Sequence, residues 1–179
     1  NALDEEPYVT AYIPNPNLTP EELRKSFAQE IGVEARGVES FELLNAINLR
    51  LIELASEGKK VVLLIDEAQT VPEETIEALR LLTNLETESA KLFQVVLFGQ
   101  PELDELLGRQ SLRQLLQRIT FSYKLSNLDN EAVDHYIAQR VQRAGFDGMS
   151  LFQRAATKQI AQASGGIPRL VNILSHKAL

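Results

Sequence analysis

The stretch Lys60-Val-Val-Leu-Leu-Ile-Asp-Glu67 decides the reading of the chain. Val61 to Ile65 are apolar without alternation, which predicts a strand with both faces covered, as central strands of parallel sheets have. Two acids follow at its carboxyl end, where open α/β sheets place their ligand sites. Upstream, Tyr8-Val-Thr-Ala-Tyr-Ile13 is rich in β-branched and aromatic residues and stops at Pro14-Asn-Pro16, so it reads as another strand. Two helices connect them. Thr19-Pro20-Glu21-Glu22 supplies a cap, a first-turn proline and acids against the helix dipole, with Leu23, Phe27 and Ile31 on one face. Ser40 opens the second helix, whose apolar stripe Leu43, Ile47, Leu51 and Leu54 runs until Gly58.

Downstream, Thr70-Val-Pro-Glu73 has capping-box spacing, and Ile76, Leu79, Leu82 and Leu85 continue as an amphipathic helix. Leu92-Phe-Gln-Val-Val-Leu-Phe98 is a further buried strand, closed by Gly99-Gln100-Pro101. Short helices over 101–107 and 111–118 lead into a last strand over 119–125. This alternation predicts an α/β domain with a mostly parallel sheet. Beyond Leu125 only helical patterns occur. They cover 129–144 (Val133, Ile137, Val141 and Ala144 on one face), 150–163, and 168–179, opened by Pro168. The organisation expected is an α/β core over 1–126 and a helical lid over 127–179, divided where the pattern changes.

Composition narrows the chemistry. A chain of 179 residues with 44% apolar content can close a core, which argues against a disordered tail or a solenoid. It has no cysteine, hence no disulfide framework or thiolate metal site, and its two histidines, His135 and His176, have no acid at ligand spacing. No Ser-His-Asp or Cys-His arrangement stands out. Residues 1–107 hold 8 basic and 21 acidic side chains, a charge of −13, while residues 108–179 hold 10 basic and 4 acidic, a charge of +6. The first part argues against a broad nucleic-acid-binding face; the second suits phosphate, an acidic neighbour or plain solvation. No apolar run approaches the roughly 20 residues of a spanning helix.

An apolar strand ending in Asp-Glu is the Walker B arrangement, in which the Asp holds Mg²⁺ through water and the Glu polarises the attacking water. The alternative is a solvated acid pair ahead of a helix. A nucleoside triphosphatase also needs a glycine-rich loop ending in Gly-Lys-Ser/Thr to wrap the phosphates, and the sole Gly-Lys here, Gly58-Lys59, lacks that setting.

Leu64-Ile-Asp-Glu-Ala-Gln69, Leu97-Phe-Gly-Gln-Pro-Glu-Leu103, Leu112-Arg-Gln-Leu-Leu-Gln-Arg118 and Gly166-Ile-Pro-Arg169, in that order, resemble AAA+ ATPases of the ExeA-like group. These accompany type II secretion and MSHA pilus biogenesis, and their relatives include ATPase subunits of transposition systems. The resemblance runs from about Tyr8 to the end. It implies a P-loop NTPase sheet of order 5-1-4-3-2 with a helical lid, ATP and Mg²⁺ as cofactors, and a ring-like homo-oligomer. It also implies pilus or secretion assembly proteins as partners and a cytoplasmic location, with any membrane contact made by segments outside this chain. Carried over by position, it makes Asp66 the metal-holding acid, Glu67 the catalytic base and Gln100 the sensor 1 equivalent. Arg118, or else Arg113, becomes the arginine finger, and Arg169 the sensor 2 residue. The bland alternatives are a turn residue for Gln100, exposed helix arginines for Arg113 and Arg118, and a lid salt bridge for Arg169.

The same resemblance places the first strand, phosphate loop and following helix just ahead of Tyr8. The chain then reads as beginning after the loop, with a strand missing between 92–98 and 119–125. The 179 residues alone are expected not to bind ATP. Two other classes stay open: a DNA-associated ATPase using the +6 part, and a nucleotide-independent interaction module.

Overall fold

The computed structural model describes residues 7–85, 91–148 and 150–179. Its sheet has three parallel strands, β1 (Tyr8–Ile13), β2 (Lys60–Ile65) and β3 (Phe93–Leu97), in the order β1-β2-β3. The apolar run is thus the middle strand. Ala11, Leu63 and Val95 lie side by side, as do Ile13, Ile65 and Leu97, which brings the carboxyl ends of the strands level. Past those ends the pairing continues: Asp66 N–H donates to the Ile13 carbonyl at 3.1 Å, Phe98 N–H to Ile65 at 2.8 Å, and Ala68 N–H to Phe98 at 2.8 Å.

Helices α1 (Pro20–Glu30), α2 (Ser40–Ser56) and α3 (Glu73–Leu82) supply the covering layer. The capping box of α1 forms as its sequence predicts: Thr19 Oγ1 accepts from Glu22 N–H at 3.3 Å, and the Glu22 carboxylate accepts from Thr19 N–H at 2.8 Å. Such a cap contributes about 1 kcal/mol. The stripe Leu43, Ile47, Leu51 and Leu54 of α2 is fully buried, and α2 packs on β2 while α1 packs on β1, α2 and α3. Phe27 of α1 meets Phe93 of β3 with ring centroids 5.1 Å apart, and buried Thr75 donates its hydroxyl to the Leu18 carbonyl at 2.6 Å.

Expectations for the sheet and its flanks need correction. The face of β2 formed by Val61, Leu63 and Ile65 is covered, but on the other face Leu64 is only half-buried, with Tyr12 47% and Val96 37% exposed beside it. The sheet is closed on one side and partly open on the other. Thr70 does not cap α3; its hydroxyl donates to the Glu67 carbonyl at 2.9 Å, within a 3₁₀ turn (Ala68–Thr70), and Pro72 holds the N-cap position without a side-chain bond. Finally, residues 119–125 form no strand. Phe121, Tyr123 and Leu125 are 90%, 87% and 84% exposed, because the described strands pair only with one another and an unpartnered segment gains no ladder bonds.

The chain divides into two compact units, Asn1–Thr120 and Phe121–Leu179. The first also contains α4 (Glu102–Leu107) and the short α5 (Arg113–Leu116). In the second, α6 (Asn130–Arg143), α7 (Arg154–Ser164) and α8 (Pro168–Lys177) close on Val133, Ile137, Ile160, Ala161 and Val171. Asp129 caps α6, accepting from Ala132 N–H at 2.8 Å. Helix α7 starts four residues later than its pattern suggests, since Ser150 turns its hydroxyl onto the Phe152 carbonyl. Gly166 has φ 73°, and a Cβ there would stand 1.9 Å from the Leu128 carbonyl oxygen, so this position admits only glycine. No described helix is long and apolar enough to cross a membrane.

Candidate functional site

The site is built where β2 ends. Asp66 is half-buried and both its oxygens are engaged: Oδ1 accepts from Glu67 N–H at 2.9 Å and Oδ2 from the Tyr12 hydroxyl at 3.2 Å. The bond to Asp66 raises the Tyr12 phenol above its ordinary pKa, with desolvation and the Asp66 charge adding to it. Parallel register accounts for this meeting, since Tyr12 lies beside Leu64, two residues before Asp66.

Glu67 adopts φ 49° and ψ 38°, the left-handed region, and is alone in a positive φ among the described non-glycine residues. A left-handed glutamate costs energy, on the order of 1 kcal/mol, and such strain clusters where function needs a particular aim. The turn directs the exposed carboxylate back across the sheet end. There Glu67 Oε2 accepts from Gln69 Nε2 at 2.6 Å and from Gln100 Nε2 at 3.2 Å. Gln100 follows β3, and its own N–H donates to Gln69 Oε1 at 3.1 Å. Asp66, Glu67 and Gln100, singled out from the sequence, are therefore gathered at one end of the sheet.

The arginines are placed otherwise. Arg118 is exposed just past α5 and donates from Nη1 to Thr83 Oγ1 at 3.0 Å, at the C-cap of α3. Glu67 precedes the opposite end of that helix, whose 10 residues span about 15 Å. Arg113 is exposed on α5, and Arg169 is exposed in the first turn of α8 in the second unit. His135 and His176 are exposed on α6 and α8.

Two members of the site escaped the sequence reading. Gln69 lies two residues past the acid on a turn, which puts it within reach of the carboxylate, but no residue-type pattern marks it. Tyr12 needed the strand register. The oxygen donors suit Mg²⁺, which binds one or two carboxylates and fills its octahedron with phosphate and water. Among the described residues no cluster of three His, Cys, Asp or Glu side chains gathers, so a cation held by Asp66 would take its remaining ligands from nucleotide and solvent.

A three-stranded parallel sheet carrying an acid pair at its carboxyl end, in a chain that goes on to a helical unit, defines an α/β protein, and the comparisons narrow it. Residues 1–107 match the AAA domain, and the chain belongs to that family. It is 43% identical over 170 residues to General secretion pathway protein A of Aeromonas hydrophila, a stretch that takes in 94% of this chain and 31% of that protein. Thus the chain spans under a third of that relative's length. Among solved structures it is similar to the ORC2 protein of Aeropyrum pernix in its ADP form, with a TM-score of 0.68 and 14% identity, covering 94% of this chain and 46% of that one. It is also similar to a mutant of RuvB from Thermotoga maritima, with a TM-score of 0.51 and 18% identity, covering 92% and 52%. These two likenesses show the AAA-like P-loop NTPase fold.

Proposed function

We propose that this chain is the α/β core and lid of an ATP-hydrolysing AAA+ motor or switch that assists assembly of a type II secretion machine or pilus in the bacterial envelope, the MSHA pilus being the finer assignment. The observation that carries the chemistry is the meeting of Glu67 and Gln100 on one carboxylate oxygen. In this reading Glu67 is the general base and Gln100 orients the attacking water beside the terminal phosphate. Asp66 is the residue that would hold Mg²⁺, and the Tyr12 hydroxyl fixes one of its oxygens. When bound, the cation supplies charge neutralisation on the phosphates. Arg118, with Arg113 as the second candidate, reaches the nucleotide of a neighbouring subunit in a ring, a role supported by its place at the far end of α3 from Glu67. A guanidinium suits that task because it stays charged and grips phosphate oxygens bidentately. Arg169 acts as sensor 2, on a helix start shaped by Pro168.

The phosphate loop comes from a strand, loop and helix outside these 179 residues. Two features support this: among the described residues β3 pairs on one edge only, and the sheet face holding Tyr12, Leu64 and Val96 is partly open. The secretion context rests on the 43% identity to General secretion pathway protein A. The charge of +6 over residues 108–179 favours the second reading, a DNA-associated AAA+ ATPase, whose affinity for DNA would fall steeply with salt.

The test uses the longer protein that contains a phosphate loop. Glu67→Gln should keep ATP binding and lose hydrolysis by about 10²–10⁴-fold, the range for a lost general base. Undiminished turnover would remove Glu67 from the mechanism. Titration of the 179 residues alone with Mg-ATP should show no saturable binding, because loop amides and the loop lysine make most of a phosphate cradle. Saturation at micromolar nucleotide would place the phosphate site within these residues.

A further inference from the structure

Gln69 makes two contacts of opposite polarity. Its Nε2 donates to Glu67 Oε2 at 2.6 Å, and its Oε1 accepts from the Gln100 main-chain N–H at 3.1 Å. Few side chains can do both. A carboxylate would accept from Gln100 but repel Glu67, an ammonium would donate to Glu67 but present a charge to an N–H, and a shorter amide would not span the gap. The amide orientation is set by its partners, since a flipped Gln69 would face oxygen to carboxylate and N–H to N–H.

Its surroundings fit a bridge that is built in. Gln69 is half-buried on the 3₁₀ turn (Ala68–Thr70), and that turn is anchored at both ends, by Ala68 N–H on the Phe98 carbonyl at 2.8 Å and by the Thr70 hydroxyl on the Glu67 carbonyl. Across from it stands Gly99. A Cβ at that position would lie 3.0 Å from Gln69 Oε1 and 2.8 Å from Leu103 Cδ2, so the absence of a side chain lets the amide close on the backbone after β3. Glu67, in its left-handed turn, has a strained backbone and an exposed side chain, and an unsupported carboxylate there would sample several rotamers.

We propose that Gln69 is a positioning residue that holds the Glu67 carboxylate against the Gln100 amide, so that base and water-orienting group are aimed as one unit. The inference rests on the roles of Glu67 and Gln100 given above. Because both amides bond Oε2, the Oε1 atom of Glu67 is the one turned to the attacking water. Gln69 touches neither nucleotide nor water in this scheme; it acts through its two neighbours, as the outer partners of a catalytic group do.

The experiment uses the longer, loop-containing protein and compares Gln69→Glu, Gln69→Ala and Gln69→Asn with wild type in ATP turnover and thermal midpoint. Gln69→Glu keeps size and the acceptor toward Gln100 but sets a carboxylate against Glu67. It should lower kcat by about 10–100-fold, the scale of a lost orienting partner, with KM for ATP and the thermal midpoint unchanged. Gln69→Ala should lower kcat less, because it removes the bridge without adding repulsion, and Gln69→Asn should not rescue it. Unchanged kcat in Gln69→Glu would overturn the proposal, as would a loss in which KM and the thermal midpoint move together with kcat, which marks a structural role. Glu67→Gln, run alongside, separates the two failures: if it turns over normally the reading of Glu67 falls, and if it alone is impaired only Gln69 is wrongly assigned.

Discussion

Residues 60–65 and 119–125 both read as strands, the first a continuous apolar run and the second alternating, yet one is the middle strand of the sheet and the other forms no strand and leaves Phe121, Tyr123 and Leu125 exposed. The difference is in their partners. β2 has an edge on each side, supplied by β1 and β3, and a helical layer over Val61, Leu63 and Ile65. Residues 119–125 have an alternating pattern, with Phe121, Tyr123 and Leu125 in step, and pair with no described strand. Strand propensity measures fit to a pleated, half-buried surface, and it forms no strand where that surface is lacking.

The largest contrast should appear in amide hydrogen exchange. Amides of β2 should open only with global unfolding, and those of 120–125 should exchange close to the unprotected rate. A gap of about 10³-fold or more follows from the usual several kcal/mol of domain stability. Protection of 120–125 in the 179-residue chain would break the comparison.

Side-chain truncation should give a smaller effect. Leu63→Ala should cost about 2–5 kcal/mol in denaturant unfolding, since Leu63 is 0% exposed, whereas Tyr123→Ala should stay within about 0.5 kcal/mol. Repeating Tyr123→Ala in the longer protein sharpens the point. A cost there above about 1 kcal/mol would mean that a strand from outside this chain has recruited the segment.

The smallest effect is acidic. Glu22 is held below its ordinary pKa of 4.5 by the Thr19 backbone N–H and hydroxyl, Glu73 by Ser111 and then Arg109, and Glu77 by Arg80. Glu21 and Glu57 are lowered in the same way by Lys25 and Lys59. Their folded pKa values lie below the unfolded ones, so the stability they contribute is present above about 4.5 and is lost as pH falls through the folded values. Exposure keeps each contribution small. The thermal midpoint of the sheet unit should therefore decline modestly below about pH 4.5, while residues 119–125, which contain no carboxylate, should show no change in exchange protection. A midpoint that rises on acidification would contradict this.

Much of the fold was written in local pattern. The strands at Tyr8–Ile13 and Lys60–Ile65, the stripe of α2, the cap of α1 at Thr19 and the proline start of α8 all follow from periodicity and end chemistry, which act over a few residues. The acid pair was legible for the same reason, because an apolar strand followed by Asp-Glu is a contiguous signal.

What the sequence alone determined about this protein is where its three strands and its longer helices lie, to within a few residues, and which acids end the central strand. Tertiary structure alone decided that one sheet face stays partly open, that 119–125 has no strand, that Thr70 serves the turn instead of the helix, and that Tyr12 and Gln69 join the site. Each of these depends on atoms far apart in the chain or on a competition for one hydrogen bond. Tyr12 reaches Asp66 across 54 positions and Gln100 reaches Glu67 across 33, through parallel register. Spacing along the chain carries no record of such meetings; they arise only when strand ends are brought level and a left-handed turn swings Glu67 back over them.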